Sequence, residues 1–193
     1  MSVSPPRSWL SFLICALALA EACPSLAQDA AKPAQELQRK AEAGDKEAQF
    51  RLGAAYEAQK NYQEARTWYE RAAAQGHAQA TNNLAYLYDL GVGTKQDRQR
   101  GFDLYRRAAD LGSAEAMWNL ANMYGAGQLG EKDFYMACVW TFRALRFAEP
   151  GSKDLFVPAS RAAAQLEKSM IAEKLWACKQ QAESWRPLAT SKP

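Results

Sequence analysis

The chain of 193 residues has a single histidine, His77, and no group of cysteines and histidines at metal-ligand spacing. A histidine-centred nucleophilic triad needs an acid and a nucleophile gathered around the imidazole, and no segment near His77 supplies that pattern. No catalytic residue, metal ligand or cofactor-binding residue can therefore be assigned, and the chain is read as a non-enzyme without a cofactor. Charge of one sign is also scarce: Lys and Arg total 24 against 21 Asp and Glu, a net charge of +3. That balance is too mild for a nucleic-acid partner. Long apolar runs are missing as well. The longest, Trp9 to Ala20, has 12 residues, whereas a transmembrane helix needs about 20.

That short run has its own meaning. It follows a lone Arg7 and precedes Ser25-Leu26-Ala27, where small residues stand at the positions a signal peptidase reads. Residues 1–27 are thus expected to be a signal peptide and 28–33 a linker, which predicts export to the periplasm or medium. Cys23 after Ala22 raises the alternative of a lipid-anchored cysteine, but Glu21 beside the processed bond disfavours it. Cleavage after Ala27 removes Cys15 and Cys23 and leaves 193 − 27 = 166 residues, enough to fold without a metal or cofactor. Of the remaining cysteines, Cys138 and Cys178 are a disulfide candidate in an oxidising compartment. Both also fall on apolar helix stripes, where inert buried thiols reside, so the sequence leaves the bond open.

Self-similarity is the strongest signal. AEAGDKEAQFRLGAAY (41–56), AAQGHAQATNNLAYLY (73–88) and AADLGSAEAMWNLANMY (108–124) share a frame of Gly, a few polar or small residues, Ala, then Leu-small-x-x-Tyr. Gly44, Gly76 and Gly112 step by 32 and 36, and so do Leu52, Leu84 and Leu120, and Tyr56, Tyr88 and Tyr124. A second helix follows each, opened by Asn61, Asp97 or Asp133 as N-cap and carrying Ala65, Gly101 or Ala137 at its inner contact. Aromatics at Trp68-Tyr69, Tyr105 and Trp140 fill the space between pairs, and the small pairs Ala72-Ala73 and Ala108-Ala109 allow close approach.

Each helix pair leaves one apolar face uncovered, so the pairs must stack. The expected fold is all-α: a right-handed α-solenoid of about three helix-turn-helix repeats over 34–149, closed by a leading helix, by C-terminal capping helices in 150–187, and ending in a tail over 188–193. In the cap, Ile171, Leu175, Cys178, Ala182 and Trp185 form one apolar stripe at helical spacing. His77 takes the place of Asp45 and Ser113 and reads as a helix-entry residue. Gly91-Val92-Gly93 and Gly125-Ala126-Gly127 follow helices, so they read as tight turns and not as phosphate loops.

These segments resemble Sel-one-like repeats, relatives of the tetratricopeptide repeat. The match lies in Ala-Gln-x-x-Leu-Gly-x-x-Tyr at Ala48 to Tyr56, in Asn83-Leu84 and Asn119-Leu120, and in Gly91-Val92-Gly93 before Asp97. The first unit departs from the pattern with a loop four residues shorter, closer to a tetratricopeptide repeat. The resemblance implies a scaffold for envelope complexes, secretion or polysaccharide machinery, or host contact. It also includes a cysteine-rich branch associated with penicillin binding or β-lactamase activity. The chain lacks that branch's per-repeat disulfides, and no Ser-x-x-Lys motif accompanies the repeats.

In such solenoids the first helix of each pair lines the concave side. The outward positions there are Phe50, Arg51, Ala54 and Glu57, then Asn82, Asn83, Tyr86 and Asp89, then Trp118, Asn119 and Asn122. Rings with amides suit a peptide backbone or a sugar, and Asn83 and Asn119 could equally brace neighbouring helices. The expected partner is a protein segment, with cell-wall glycan as the alternative, and the chain is expected to be a monomer.

Overall fold

The computed structural model describes residues 34–149 and 151–188; the expected signal peptide and linker, with Cys23, lie outside them, as does most of the expected tail. Among the described residues the structure is all-helical: α1 (34–42), α2 (Lys46–Ala58), α3 (Tyr62–Ala74), α4 (Ala78–Leu90), α5 (Arg98–Asp110), α6 (Ala114–Ala126), α7 (Phe134–Phe147), α8 (Lys153–Ser169) and α9 (Ala172–Ser184). Helices α2/α3, α4/α5 and α6/α7 are antiparallel pairs, and α3 stacks on α4 as α5 stacks on α6, giving three repeats of an α-solenoid.

Local chemistry places these helices. Asp45, His77 and Ser113 each accept a backbone hydrogen bond three residues on, from Ala48, Ala80 and Ala116, and Asp97 and Asp133 do the same for Arg100 and Met136. Each satisfies an amide that the first turn leaves without a partner. Asn61 does not: its side chain makes no capping bond. The first loop also differs: Asn61 enters α3 directly from Lys60, which sits at φ 61° in the left-handed region, although its N–H bonds Tyr56 O as those of Asp97 and Asp133 bond Tyr88 O and Tyr124 O. The longer loops place glycine at the helix end, Gly91 and Gly127 both left-handed. Gly125, read as part of a turn, is still helical, because α6 runs on to Ala126.

Alanine and glycine columns let the helices meet closely while rings fill the gaps. Tyr69, Tyr105 and Trp140 are fully buried among Ala65, Ala72, Ala108, Ala109 and Ala144. A Cβ on Gly53 would stand 2.7 Å from the Tyr69 ring, so glycine is what admits that ring between α2 and α3.

The C-terminal cap is built against α7. Both α8 and α9 pack on it and scarcely on each other. Cys138 and Cys178, both fully buried, form a disulfide joining α7 to α9, with Cα atoms 6.1 Å apart. Tyr135 donates to Gln181 Oε1 at 2.7 Å, and the guanidinium of Arg146 donates to the carbonyls of Ala182 and Glu183 in the last turn of α9. The Arg146 cation occupies the end of α9, where free carbonyls need donors. Trp185, just past α9, sets its ring edge-on to Trp140 and Phe147, and Arg143 lies between Trp140 and Trp185 at 4.6 and 4.9 Å from the ring centres. Burial, with the like charge of Arg106 adding, brings the Arg143 pKa down to about 10. Ile171 does not belong to the buried stripe: as the residue capping α9 it turns outward and is 62% exposed, because an extended cap residue leaves the helical phase that Leu175, Cys178 and Ala182 share.

Candidate functional site

The first helices of the repeats lie side by side. α2 touches α4, and Asn119 of α6 reaches Asn82 of α4. The repeat offsets sort their side chains into columns: Phe50, Asn82, Trp118; then Arg51, Asn83, Asn119; then Ala54, Tyr86, Asn122; then Glu57, Asp89, Gly125. Within these columns some side chains hold the stack together and others stay available.

Much of the polar surface is occupied internally. The Tyr69 hydroxyl donates to Glu57 Oε2 at 2.5 Å and accepts from Asn83 Nδ2 at 3.1 Å. Asn82 Nδ2 donates to Asn83 Oδ1 at 3.3 Å, and Asn82 Oδ1 accepts from Asn119 Nδ2 at 3.1 Å. One hydrogen-bonded ladder thus runs from the first repeat to the third, and it fixes the relative position of the first helices. Burial first, then the Glu57 carboxylate, raises the Tyr69 pKa and keeps its hydroxyl a donor. Asn82, Asn83 and Asn119 are therefore bracing residues, and Asn82 is buried. Sequence reasoning placed Asn82 outward because helical phase alone fixes a face, while the neighbouring helix decides whether that face is covered.

Phe50 and His77 also serve the stack. Their rings lie 4.6 Å apart in parallel. His77 Nδ1 accepts from Ala80 N, which leaves the proton on Nε2 to donate to Glu47 Oε2 at 3.1 Å. His77 and Arg51 both bond Glu47 and hold its carboxyl below the usual range, His77 contributing most. Trp118 is half-buried against the core cluster of the second and third repeats.

What remains open is Tyr86, 44% exposed, with exposed Asn122 in the same column and half-buried Asp89 one turn on. Asp89 forms no hydrogen bond or ion pair through its carboxylate with any described residue, and burial raises its pKa against a weaker opposing pull from Arg98. Tyr105 stands beside it: burial raises its pKa, and the charges of Asp89 and Tyr86 raise it further. Tyr105 was read from sequence only as a filler between repeats; its position one repeat after Tyr69 was the signal that it also faces the acid column. Among the described residues, no three His, Cys, Asp or Glu side chains are grouped to hold a metal ion, and no helix is long and apolar enough to cross a membrane.

With this geometry the comparison with known proteins is direct. A model of the Sel1 repeat matches residues 46–77, 78–113 and 114–146. The chain belongs to the Sel1 repeat family. The three matched units are the three helix pairs, including the short-looped first one. Among solved structures, a protective antigen present in uropathogenic Escherichia coli strains and displaying an SLR fold is similar at 29% identity and a TM-score of 0.67, over 79% of this chain and 33% of that one. A Sel1 repeat protein from Oxalobacter formigenes is similar at 28% identity and a TM-score of 0.54, over 66% of this chain and 98% of that one. This Sel1 repeat chain therefore spans a third of the length of the antigen. No curated protein sequence matches it.

Proposed function

We propose that this Sel1 repeat chain is an adaptor of the bacterial cell envelope that captures a segment of a partner protein along its first-helix face and performs no chemistry itself. The observation that carries this reading is the contrast within that face. Asn82, Asn83, Asn119 and Phe50 are committed to the stack, whereas Tyr86 and Asn122 face solvent one repeat apart in one column. An exposed tyrosine supplies rigid contact area at small entropic cost, and an amide can both donate to and accept from a peptide backbone. A glycan needs a denser set of free amides and hydroxyls, and the ladder consumes three of the four asparagines on this face. That favours a protein partner over cell-wall material.

Export rests on the leader pattern of residues 1–27 and on the disulfide, a bond that persists in oxidising compartments. The chain acts as a monomer.

The test replaces exposed side chains. Because Trp118 leans on the core, a Tyr86→Ala, Asn122→Ala double variant is the cleaner probe. Affinity capture from the native envelope should retrieve a defined partner with the wild type and lose it with the double variant, at unchanged helical circular dichroism. Equal capture by both proteins would refute the reading, as would hydrolysis of a chromogenic β-lactam or retention of peptidoglycan fragments by the purified chain.

A further inference from the structure

The first and second repeats carry the same pair of residues in different states. In the first, Glu57 and Tyr69 are bonded to each other, and Asn83 from the next repeat completes the tyrosine's hydrogen bonding. The equivalents one repeat on are Asp89, Tyr105 and Asn119. Here the acid is one methylene shorter and makes no bond to Tyr105, and Asn119 has turned to Asn82 instead. The Asp89 carboxylate is thus left without the tyrosine partner that Glu57 has. Asp89 is only half-buried, so its carboxylate can be reached from outside, whereas Tyr105 is 1% exposed and closed to an incoming side chain. The arrangement is fixed from below, since a Cβ on Gly101 would stand 3.0 Å from Asp89 Cβ and 3.1 Å from Asp89 N. Tyr86, three residues before Asp89 on α4, puts an exposed ring on the same helical face.

We infer that the corner formed by Tyr86 and Asp89 on α4 is a specificity pocket for a basic side chain, best an arginine, of the captured segment. This deepens the adaptor reading and rests on it. A guanidinium carries several donors in a planar fork, so it can bond both oxygens of the Asp89 carboxylate while its face stacks on Tyr86. A lysine ammonium satisfies the carboxylate but stacks less well. The nearby charges agree with this occupant. Arg98 acts on Asp89 without forming an ion pair, Arg51 is already paired with Glu47, and Glu57 adds a second acid to the column. A cation arriving at Asp89 therefore displaces no existing ion pair.

Random linear peptides displayed on phage and selected on the full chain give the test. Arginine or lysine should recur at one position of the retained peptides. Exchanging that arginine for citrulline, which keeps the shape and removes the charge, should weaken binding to the wild type about tenfold, the scale of one charge-assisted hydrogen bond. On an Asp89→Asn variant the same exchange should change binding by less than about twofold, because the partner charge is already gone. Asp89→Asn should leave the helical circular dichroism intact, since the carboxylate holds no structural bond. Retained peptides that depend on Tyr86 and Asn122 yet show no basic preference, or a citrulline penalty that is equal on both proteins, would overturn the pocket while leaving the adaptor reading standing. Retention of no peptide, or of peptides indifferent to Tyr86→Ala with Asn122→Ala, would overturn both.

Discussion

Lys60 shows how a single backbone position reports the history of a repeat. It is the one non-glycine among the described residues at positive φ, in the short loop where the other repeats have longer, glycine-bearing turns. A side chain in the left-handed region costs about 1–2 kcal/mol, part of which glycine returns by gaining freedom in the unfolded chain. Lys60→Gly should therefore stabilise the fold by about 0.5–1 kcal/mol, read as a thermal midpoint raised by about 2 °C. An unchanged or lower midpoint would mean that the loop is relaxed as it stands. Asp89 is the opposite case, a residue whose cost is retained. Burial holds its folded pKa above the unfolded value. The penalty is absent below the unfolded pKa near 4 and fully present above the raised folded pKa. Asp89→Asn should thus stabilise the chain at pH 7 by less than about 1 kcal/mol, with the gain fading as the pH falls toward 4. A stability loss at pH 7 would show that the carboxylate has an internal partner.

Between elements, close approach and cross-links decide what holds. Gly101 admits α4 against α5, and the atoms facing a new Cβ there include backbone, Ala85 O and Asp89 N at 3.1 Å. Backbone cannot move aside as a flexible side chain can, so Gly101→Ala should cost about 1–3 kcal/mol in denaturant titration. At the C-terminus the disulfide closes a separation of 40 residues, worth about 4 kcal/mol in the chain-entropy model. Thiol counting on the unfolded, unreduced chain should find none at Cys138 or Cys178. Reduction should raise hydrogen exchange first in α9, which is tied mainly to α7, and two free thiols in the oxidised protein would contradict the bond. The elements themselves were largely legible in the sequence. Shared offsets of glycine, leucine and tyrosine located the helix pairs, and polar residues after each glycine marked helix starts. The ladder was not legible, because whether Asn119 bonds Tyr105 or Asn82 depends on how two helices from different repeats face each other, and no offset within one helix encodes that. The sandwich of Arg143 between Trp140 and Trp185 escaped for a related reason: Trp185 lies 42 to 45 positions from its partners, and only the docking of α9 on α7 joins them.

For the whole molecule, three repeats form a stack whose neighbours are tied by Glu57, Tyr69, Asn83, Asn82 and Asn119 and whose C-terminal end is sealed by α8 and α9. Sel1 repeat architecture makes a face, and this chain leaves that face open around Tyr86, Asp89 and Asn122. The most direct test of a partner on that face is a photo-crosslinking amino acid placed at position 86, compared with the same group at exposed position 67 on α3. In cells producing the full chain, illumination should give one discrete protein adduct from position 86 and none from position 67. An adduct from position 67 alone, or none from position 86, would contradict capture along the first-helix face.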